Sequence, residues 1–238
     1  MACTFGIDEL DKELAKNGLI VHIFGEKGLG KSTLAYLAMI NALKKDEKSI
    51  VYLINIGFAF DPRRLNNLVL HYGTKEMLER IKVFNISTFH EQAKLFDLLP
   101  LFAVGRNIRL IAIDRFTTLF LNNVLQLKKS HEKTYYNLEL NRECAILHYI
   151  ANKSLEKNKD FCVLLINDVI YSPKHGTIPI AKAILDFWTD YRLFLFEEKE
   201  SAEKRKIMII EPEKNVFSYE ITDYGFSISK INHRELAE

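Results

Sequence analysis

The sequence predicts an α/β fold, a mostly parallel twisted sheet with helices on both faces and an antiparallel extension at its C-terminal end. Three observations carry this. Short apolar runs alternate with helix-period segments from the N-terminus to about residue 190, the pattern of parallel strands joined by crossover helices. A glycine-rich turn joins the first such run to the first helical segment. Beyond residue 190 the helical period stops, and strand-like runs follow one another across charged or Asp/Gly turns.

Taken in order, the strand signals are Leu19–Phe24, Ser49–Ile56, Ile81–Phe84, Leu110–Asp114 and Cys162–Asn167, in which Ile and Val recur. The helical segments between them are Lys31–Leu43, Arg63–Tyr72, Phe89–Phe102 and Tyr135–Asn158. In the last, Leu140, Cys144, Leu147, Ala151 and Leu155 recur at steps of four and three and so share one helix face. Four further strands, Tyr191–Phe196, Arg205–Glu211, Val216–Ile221 and Phe226–Ser229, form the expected antiparallel extension. No linker, repeat or low-complexity stretch divides the chain, so residues 1–238 read as one domain.

Composition narrows the function. With 48% apolar and 27% charged residues the chain has the make-up of an ordinary globular protein. No apolar run reaches the ~18–20 residues that span a bilayer, and the N-terminus lacks a basic-then-apolar leader. A cytoplasmic location is expected. Cys3, Cys144 and Cys162 are odd in number and widely spaced, which fits a reducing compartment, with Cys144 and Cys162 as core fillers. A net charge of +2 means that nucleic acid would have to be met by a local basic patch.

Residues Gly25, Glu26, Lys27, Gly28, Leu29, Gly30, Lys31 and Ser32 match the phosphate-binding loop Gly-x-x-x-x-Gly-Lys-[Ser/Thr] in full, with Thr33 following. Glycines let backbone N–H groups approach phosphate oxygens, and the next helix turns its positive end toward them. Lys31 then reaches the β- and γ-phosphates, and the Ser32 hydroxyl ligates Mg²⁺. The plain alternative is a glycine-rich turn without a ligand; the strand before it and the helix after it argue for a nucleoside triphosphate. The partner of Ser32 on the metal is Asp114, which ends the apolar strand Leu110–Asp114. An aspartate there can also simply cap a following helix.

At this point the chain resembles a known family, the RecA/RadA recombinase core, and most of all the short archaeal RadB-type and other RadA paralogs. Phe5-Gly6-Ile7-Asp8-Glu9-Leu10-Asp11 is similar to the family's lead-in, and Ile23-Phe24-Gly25-Glu26 with Gly30-Lys31-Ser32 to its phosphate loop. Leu110–Asp114 with Thr117-Thr118-Leu119-Phe120 resembles its Walker B strand and the short helix after it. Asn141-Arg142-Glu143, Leu165-Ile166-Asn167-Asp168-Val169 and Ile184-Leu185-Asp186-Phe187-Trp188 through Arg192-Leu193 match further segments. The resemblance implies a RecA-like fold, ATP with Mg²⁺ as cofactors, a role in homologous recombination or repair, and association with a RadA-type recombinase or another paralog.

Several residues depart from an active recombinase. Placing Gly57 on the family glycine puts Ile56 where the water-polarising glutamate belongs, and loss of a general base costs ~10²–10⁴-fold in rate. Asp168 stands where the family carries a polar sensor residue. It is either a lost sensor or a substitute base that orients water. Arg115 replaces a small hydroxyl residue, and Ala181 and Lys182 lie where the family has two glycines. Nucleotide binding with slow turnover is expected.

The stretch Leu121–Tyr136 corresponds by position to the family's first DNA-binding loop. Its Lys128, Lys129, His131 and Lys133 suit phosphates, and Tyr135 and Tyr136 suit unstacked bases. It reads equally as a solvated surface loop leading into a helix. A second, short loop, Tyr171–Thr177, offers Lys174 and His175, while the mixed-charge run Glu197–Lys206 reads as a hairpin turn in water. The leading expectation is an ATP-binding accessory protein of recombination that binds single-stranded DNA or the main recombinase. With the core motif beginning at Phe5, neither an N-terminal helix-hairpin-helix domain nor an aromatic plug is expected, and hence no self-filament. The alternatives are a KaiC-like ATP-dependent regulatory module without a DNA role and, less well suited to the C-terminal strands, a small-molecule kinase.

Overall fold

A computed structural model describes residues 3–14, 20–57, 60–104, 106–157, 160–174, 176–198, 205–211 and 214–230. The aliphatic runs become β1 (Ile20–Gly25), β2 (Ile50–Ile56), β3 (Ile81–Ile86), β4 (Ile108–Asp114) and β5 (Cys162–Asn167). β1 and β5 are buried along their whole length, as strands covered on both faces must be. Later come β6 (Val169–Ser172), β7 (Gly176–Pro179), β8 (Tyr191–Glu197), β9 (Arg205–Glu211), β10 (Asn215–Thr222) and β11 (Gly225–Lys230). The helices are α1 (Asp8–Glu13), α2 (Lys31–Lys44), α3 (Pro62–Tyr72), α4 (Phe89–Ala103), α5 (Thr118–Gln126), α6 (Ser130–Glu156) and α7 (Lys182–Trp188).

One nine-stranded sheet runs in the order β11-β10-β9-β8-β1-β5-β4-β2-β3. All pairings from β8 through β1, β5, β4 and β2 to β3 are parallel. β9, β10 and β11 continue it antiparallel. The sequence expectation of four antiparallel strands is therefore corrected at one strand: β8 pairs parallel with β1 on one side and antiparallel with β9 on the other. Its seven residues look like any short strand in sequence; the direction is set by α7, which returns the chain to the starting end of the sheet.

Strand alternation divides the core into two layers. Val51, Leu53, Leu110 and Ala112 pack toward α2 and α3, while Ile54, Ile56, Ile111 and Ile113 pack with residues of α4, α5 and α6. Helix starts follow local chemistry. Asp61 accepts hydrogen bonds from the backbone N–H groups of Arg63 and Arg64, with Pro62 in the first turn of α3. Thr88 and Glu91 form a reciprocal capping box on α4.

The longest helix differs most from its expectation. α6 begins at Ser130, not Tyr135, so Leu121–Tyr136 is not a loop: α5 covers its first part, and only Leu127–Lys129 separate α5 from α6. On α6, Leu140, Cys144, Leu147 and Ala151 are buried as expected, but Leu155, in the last turn, is 39% exposed. The second expected loop is the β6–β7 hairpin. Cys144 and Cys162 are core residues, and Cys3 is buried too. Leu19, Asn158, His175 and the middle of the Glu197–Lys206 run lie outside the described residues. The ends of that run do face each other, with ion pairs Glu197–Arg205 and Glu198–Lys206. Among the described residues no helix is long and apolar enough to cross a membrane.

Candidate functional site

The phosphate loop connects the end of β1 to the start of α2 at the carboxyl edge of the parallel strands, where open α/β sheets place their ligands. Two glycines are required by geometry. A Cβ at Gly25 would lie 2.2 Å from the backbone oxygen of Leu195 in the neighbouring strand β8. Gly30 has φ +80°, and a Cβ there would meet Phe226 at 2.8 Å and Ile221 at 2.9 Å. The loop is thus pressed between its own helix and the C-terminal strands. Tyr219 of β10 fixes it further by donating its hydroxyl hydrogen to the Leu29 carbonyl at 2.9 Å.

An open cavity of about 300 Å³ lies beside the loop, bordered by Lys27, Gly28, Gly30 to Thr33, Asp114, Arg115 and Asp168. Lys31 is 7% exposed and donates to the carbonyls of Gly25 at 2.9 Å and Glu26 at 2.8 Å. Its ammonium also stands 3.0 Å from the Asp168 carboxylate, and Arg115 approaches the other oxygen of Asp168 at 3.6 Å. Ser32 donates to Asp114 at 2.7 Å. Burial pushes the Asp114 carboxyl above its ordinary range; the Ser32 hydrogen bond and the cations Lys31 and Arg115 work against that rise.

These residues fit a nucleotide with Mg²⁺. Nothing caps α2 at Gly30, and its first turn holds no acidic residue, so its free N–H groups remain available to an anion. Ser32 and Asp114 already touch, as two ligands of one cation do. Among the described residues no cluster of three or more His, Cys, Asp or Glu side chains is arranged for a metal. A Mg²⁺ ion that takes most of its ligands from phosphates and water needs no more than these two.

The segment after Asp114 is tied down to β5. Asn167 accepts hydrogen bonds from the Thr117 backbone N–H at 3.0 Å and hydroxyl at 2.8 Å. Its amide nitrogen lies 3.1 Å from Nε2 of His22. Burial pushes that imidazole down to about 3, so the ring is neutral, and because the Asn167 amide nitrogen can only donate, Nε2 is the nitrogen that accepts. Between these fixed points Arg115 holds a left-handed conformation, φ +61°. Ala181 holds one too, φ +56°, at the start of α7. Such strain gathers at functional sites.

Several expected site residues come together and others do not. Gly30, Lys31, Ser32, Thr33, Asp114 and Asp168 meet at the cavity; Gly25 and Glu26 contribute carbonyls to Lys31, and Leu29 is buried. Ile56 is fully buried and faces the other core layer, so its side chain is directed away from the phosphate loop. The β2 residue on the Asp114 side of the sheet is Asn55, the register partner of Asp114. Its amide donates to Asn85 at 2.8 Å, and its buried oxygen has no hydrogen-bond partner among the described residues. Sequence reasoning missed Asn55, Tyr219 and Phe226. Strand alternation could have flagged Asn55 as a polar residue on a buried face, but nothing local marks the other two.

Of the expected DNA-binding residues, Lys128, Lys129, His131, Lys133 and Tyr135 are exposed around the start of α6, and Lys174 is exposed at the turn of the β6–β7 hairpin. Tyr135 is 59% and Tyr171 77% exposed. Tyr136 instead packs on Phe89 and donates to Asn123 at 3.3 Å, a structural placement.

No family model matches the chain. It is similar to the DNA repair and recombination protein RadB of Methanococcus maripaludis strain C7, with 27% identity over 198 residues, 83% of this chain and 85% of that protein. The protein of the same name from Methanocaldococcus jannaschii is 26% identical over 176 residues, 74% of this chain and 76% of its own length. Among solved structures, a crystal structure of the RadB recombinase superposes with a TM-score of 0.74 at 23% identity, covering 98% of this chain and all of that one. The fold is that of the RadB recombinase, a RecA-like core.

Proposed function

We propose that this RadB-like chain is an ATP-binding accessory protein of homologous recombination and DNA repair, with slow turnover, that acts through single-stranded DNA or a partner recombinase. The observation that carries the reading is the contrast within one site. The parts that hold a nucleotide, namely the glycine-shaped loop, Lys31 and the touching Ser32–Asp114 pair, are all assembled. The β2 side chain that faces Asp114 is a neutral amide, which cannot take a proton from water. The similarity to DNA repair and recombination proteins supports the recombination context. Exposed cations at the start of α6 and at Lys174, with exposed Tyr135 and Tyr171 on the same two elements, supply the means to hold a single strand.

The role of this chain's residues follows from the site. Lys31 neutralises phosphate charge, Ser32 and Asp114 hold Mg²⁺, and the free N–H groups of α2 cradle the phosphates. Bound Mg²⁺ would draw charge from the phosphates and keep Asp114 ionised against its burial. The test is fluorescence anisotropy with a labelled ATP analogue and a labelled single-stranded oligonucleotide. ATP should bind the natural protein. Oligonucleotide binding should fall with salt and weaken when Lys128, Lys129 and Lys133 are reversed to Glu, with ATP affinity unchanged. Pull-down of a RadA-type recombinase should require ATP. Nucleotide binding with neither DNA nor recombinase would favour the regulatory-module alternative, and no nucleotide binding at all would overturn the proposal.

A further inference from the structure

The charge arrangement around Lys31 contains an anion of the protein's own. The ammonium that a phosphate loop reserves for phosphate oxygens is paired with Asp168 at 3.0 Å, while its remaining hydrogens go to two loop carbonyls. Lys31 is therefore fully engaged before any ligand arrives. Asp168 is no mobile surface group. It is the single residue between β5 and β6, its carbonyl accepts from the Ile180 N–H at 3.5 Å, and its side chain is about two-thirds buried. A second cation, Arg115, stands on its far side, held in a strained backbone conformation between Asp114 and the anchored Phe116–Thr117 segment.

We propose that Asp168 is a specificity-determining residue that makes this site discriminate nucleotides by the number of their phosphates, disfavouring a triphosphate relative to a diphosphate. The inference rests on the nucleotide-binding reading given above. A diphosphate brings its charge to the loop amides and the near side of Lys31 and leaves the Lys31–Asp168 pair standing. A third phosphate adds negative charge where a carboxylate already borders the cavity. Two like charges within about 5 Å repel by enough to change affinity by at least tenfold, even in a well-screened protein environment. Arg115 moderates this discrimination: as the alternative partner of Asp168, it lets the carboxylate turn away from Lys31 when a triphosphate enters. The Arg115–Asp168 distance of 3.6 Å leaves room for that closer pairing.

The test is titration calorimetry of ADP and ATP, with Mg²⁺, against the natural protein, Asp168→Asn and Arg115→Gln, each checked by thermal melting. Asp168→Asn keeps the shape and removes the charge. It should tighten ATP about tenfold relative to ADP. Arg115→Gln should do the reverse, weakening ATP relative to ADP, since Asp168 then loses its second partner. Asp168→Ser serves as a second neutral variant should the Asn variant melt early. Equal shifts of both nucleotides in the neutral variants, or none, would overturn the inference while leaving nucleotide binding intact. Failure of both nucleotides to bind the natural protein would remove the nucleotide reading itself.

Discussion

Asn55 and Asp114 stand side by side at the carboxyl ends of β2 and β4, and the residue after Asn55 turns to the opposite face of the sheet. This alternation bears on Ile56, the position where the sequence resemblance places a water-polarising glutamate. The Ile56 side chain is fully buried and belongs to the core layer below the site.

Ile56→Glu should therefore fail to restore turnover. It places an unpaired carboxylate at a fully buried position, at a cost of about 3 kcal/mol or more. Chemical denaturation should give a sharply lower midpoint, with ATP hydrolysis no faster than in the natural protein. A stable variant with raised turnover would show that the end of β2 can turn its side chain to the phosphate side.

Lys31→Ala should abolish detectable nucleotide binding while leaving the fold intact. The residue lost makes two hydrogen bonds to loop carbonyls and one ion pair, and Asp168 keeps Arg115 as a partner. Calorimetry with ATP and ADP checks the first part, and thermal melting the second.

Tyr219→Phe removes one hydroxyl and leaves the buried Leu29 carbonyl without its side-chain donor. Stability should fall by about 1 kcal/mol. Nucleotide affinity should drop several-fold, because the loop is less firmly held in its binding shape. An affinity unchanged to within error would mean that the helix and the packing around Gly30 hold the loop by themselves.

Glu143 gives a pH signature. It is completely buried on α6, and burial pushes its carboxyl up to about 8 against an ordinary 4.5, with Glu139 adding and the Gln92 hydrogen bond opposing. Gln92 donates to one Glu143 oxygen at 2.7 Å; the other oxygen, like that of Gln92, has no partner among the described residues. A proton on Glu143 lets an acid face an amide with donors and acceptors matched. Because the folded chain holds this proton more tightly than the unfolded one, its contribution is complete below about 4.5 and is lost as pH rises through about 8. Glu143→Gln mimics the protonated acid. It should flatten the decline in melting temperature across that window and stabilise the protein at its upper end by about 1–3 kcal/mol.

Sequence and structure agree where the signal is local. The strands β1, β2, β4 and β5 announce themselves by aliphatic runs, and the phosphate loop by a motif whose Gly25 and Gly30 the backbone requires. Asp168 at the site was legible only through family resemblance, and its pairing with Lys31 not at all, since 137 positions separate them in the chain. The direction of β8 escaped for a similar reason: parallel or antiparallel is decided by the path between strands, not by their residues. α6 begins earlier than its pattern suggested because its first turns are polar and solvated, with no apolar period to mark them.

The Tyr219–Leu29 hydrogen bond joins residues 190 positions apart, and Gly30 is walled by Phe226 from still further along. Synthesis delivers the phosphate loop among the first residues of the chain and its wall among the last described ones. A nascent chain therefore carries the complete motif long before the site has its shape, and it settles only once β10 and β11 have emerged and docked. On the proposed function, a nucleotide bound there would report that the far end of the sheet has been finished.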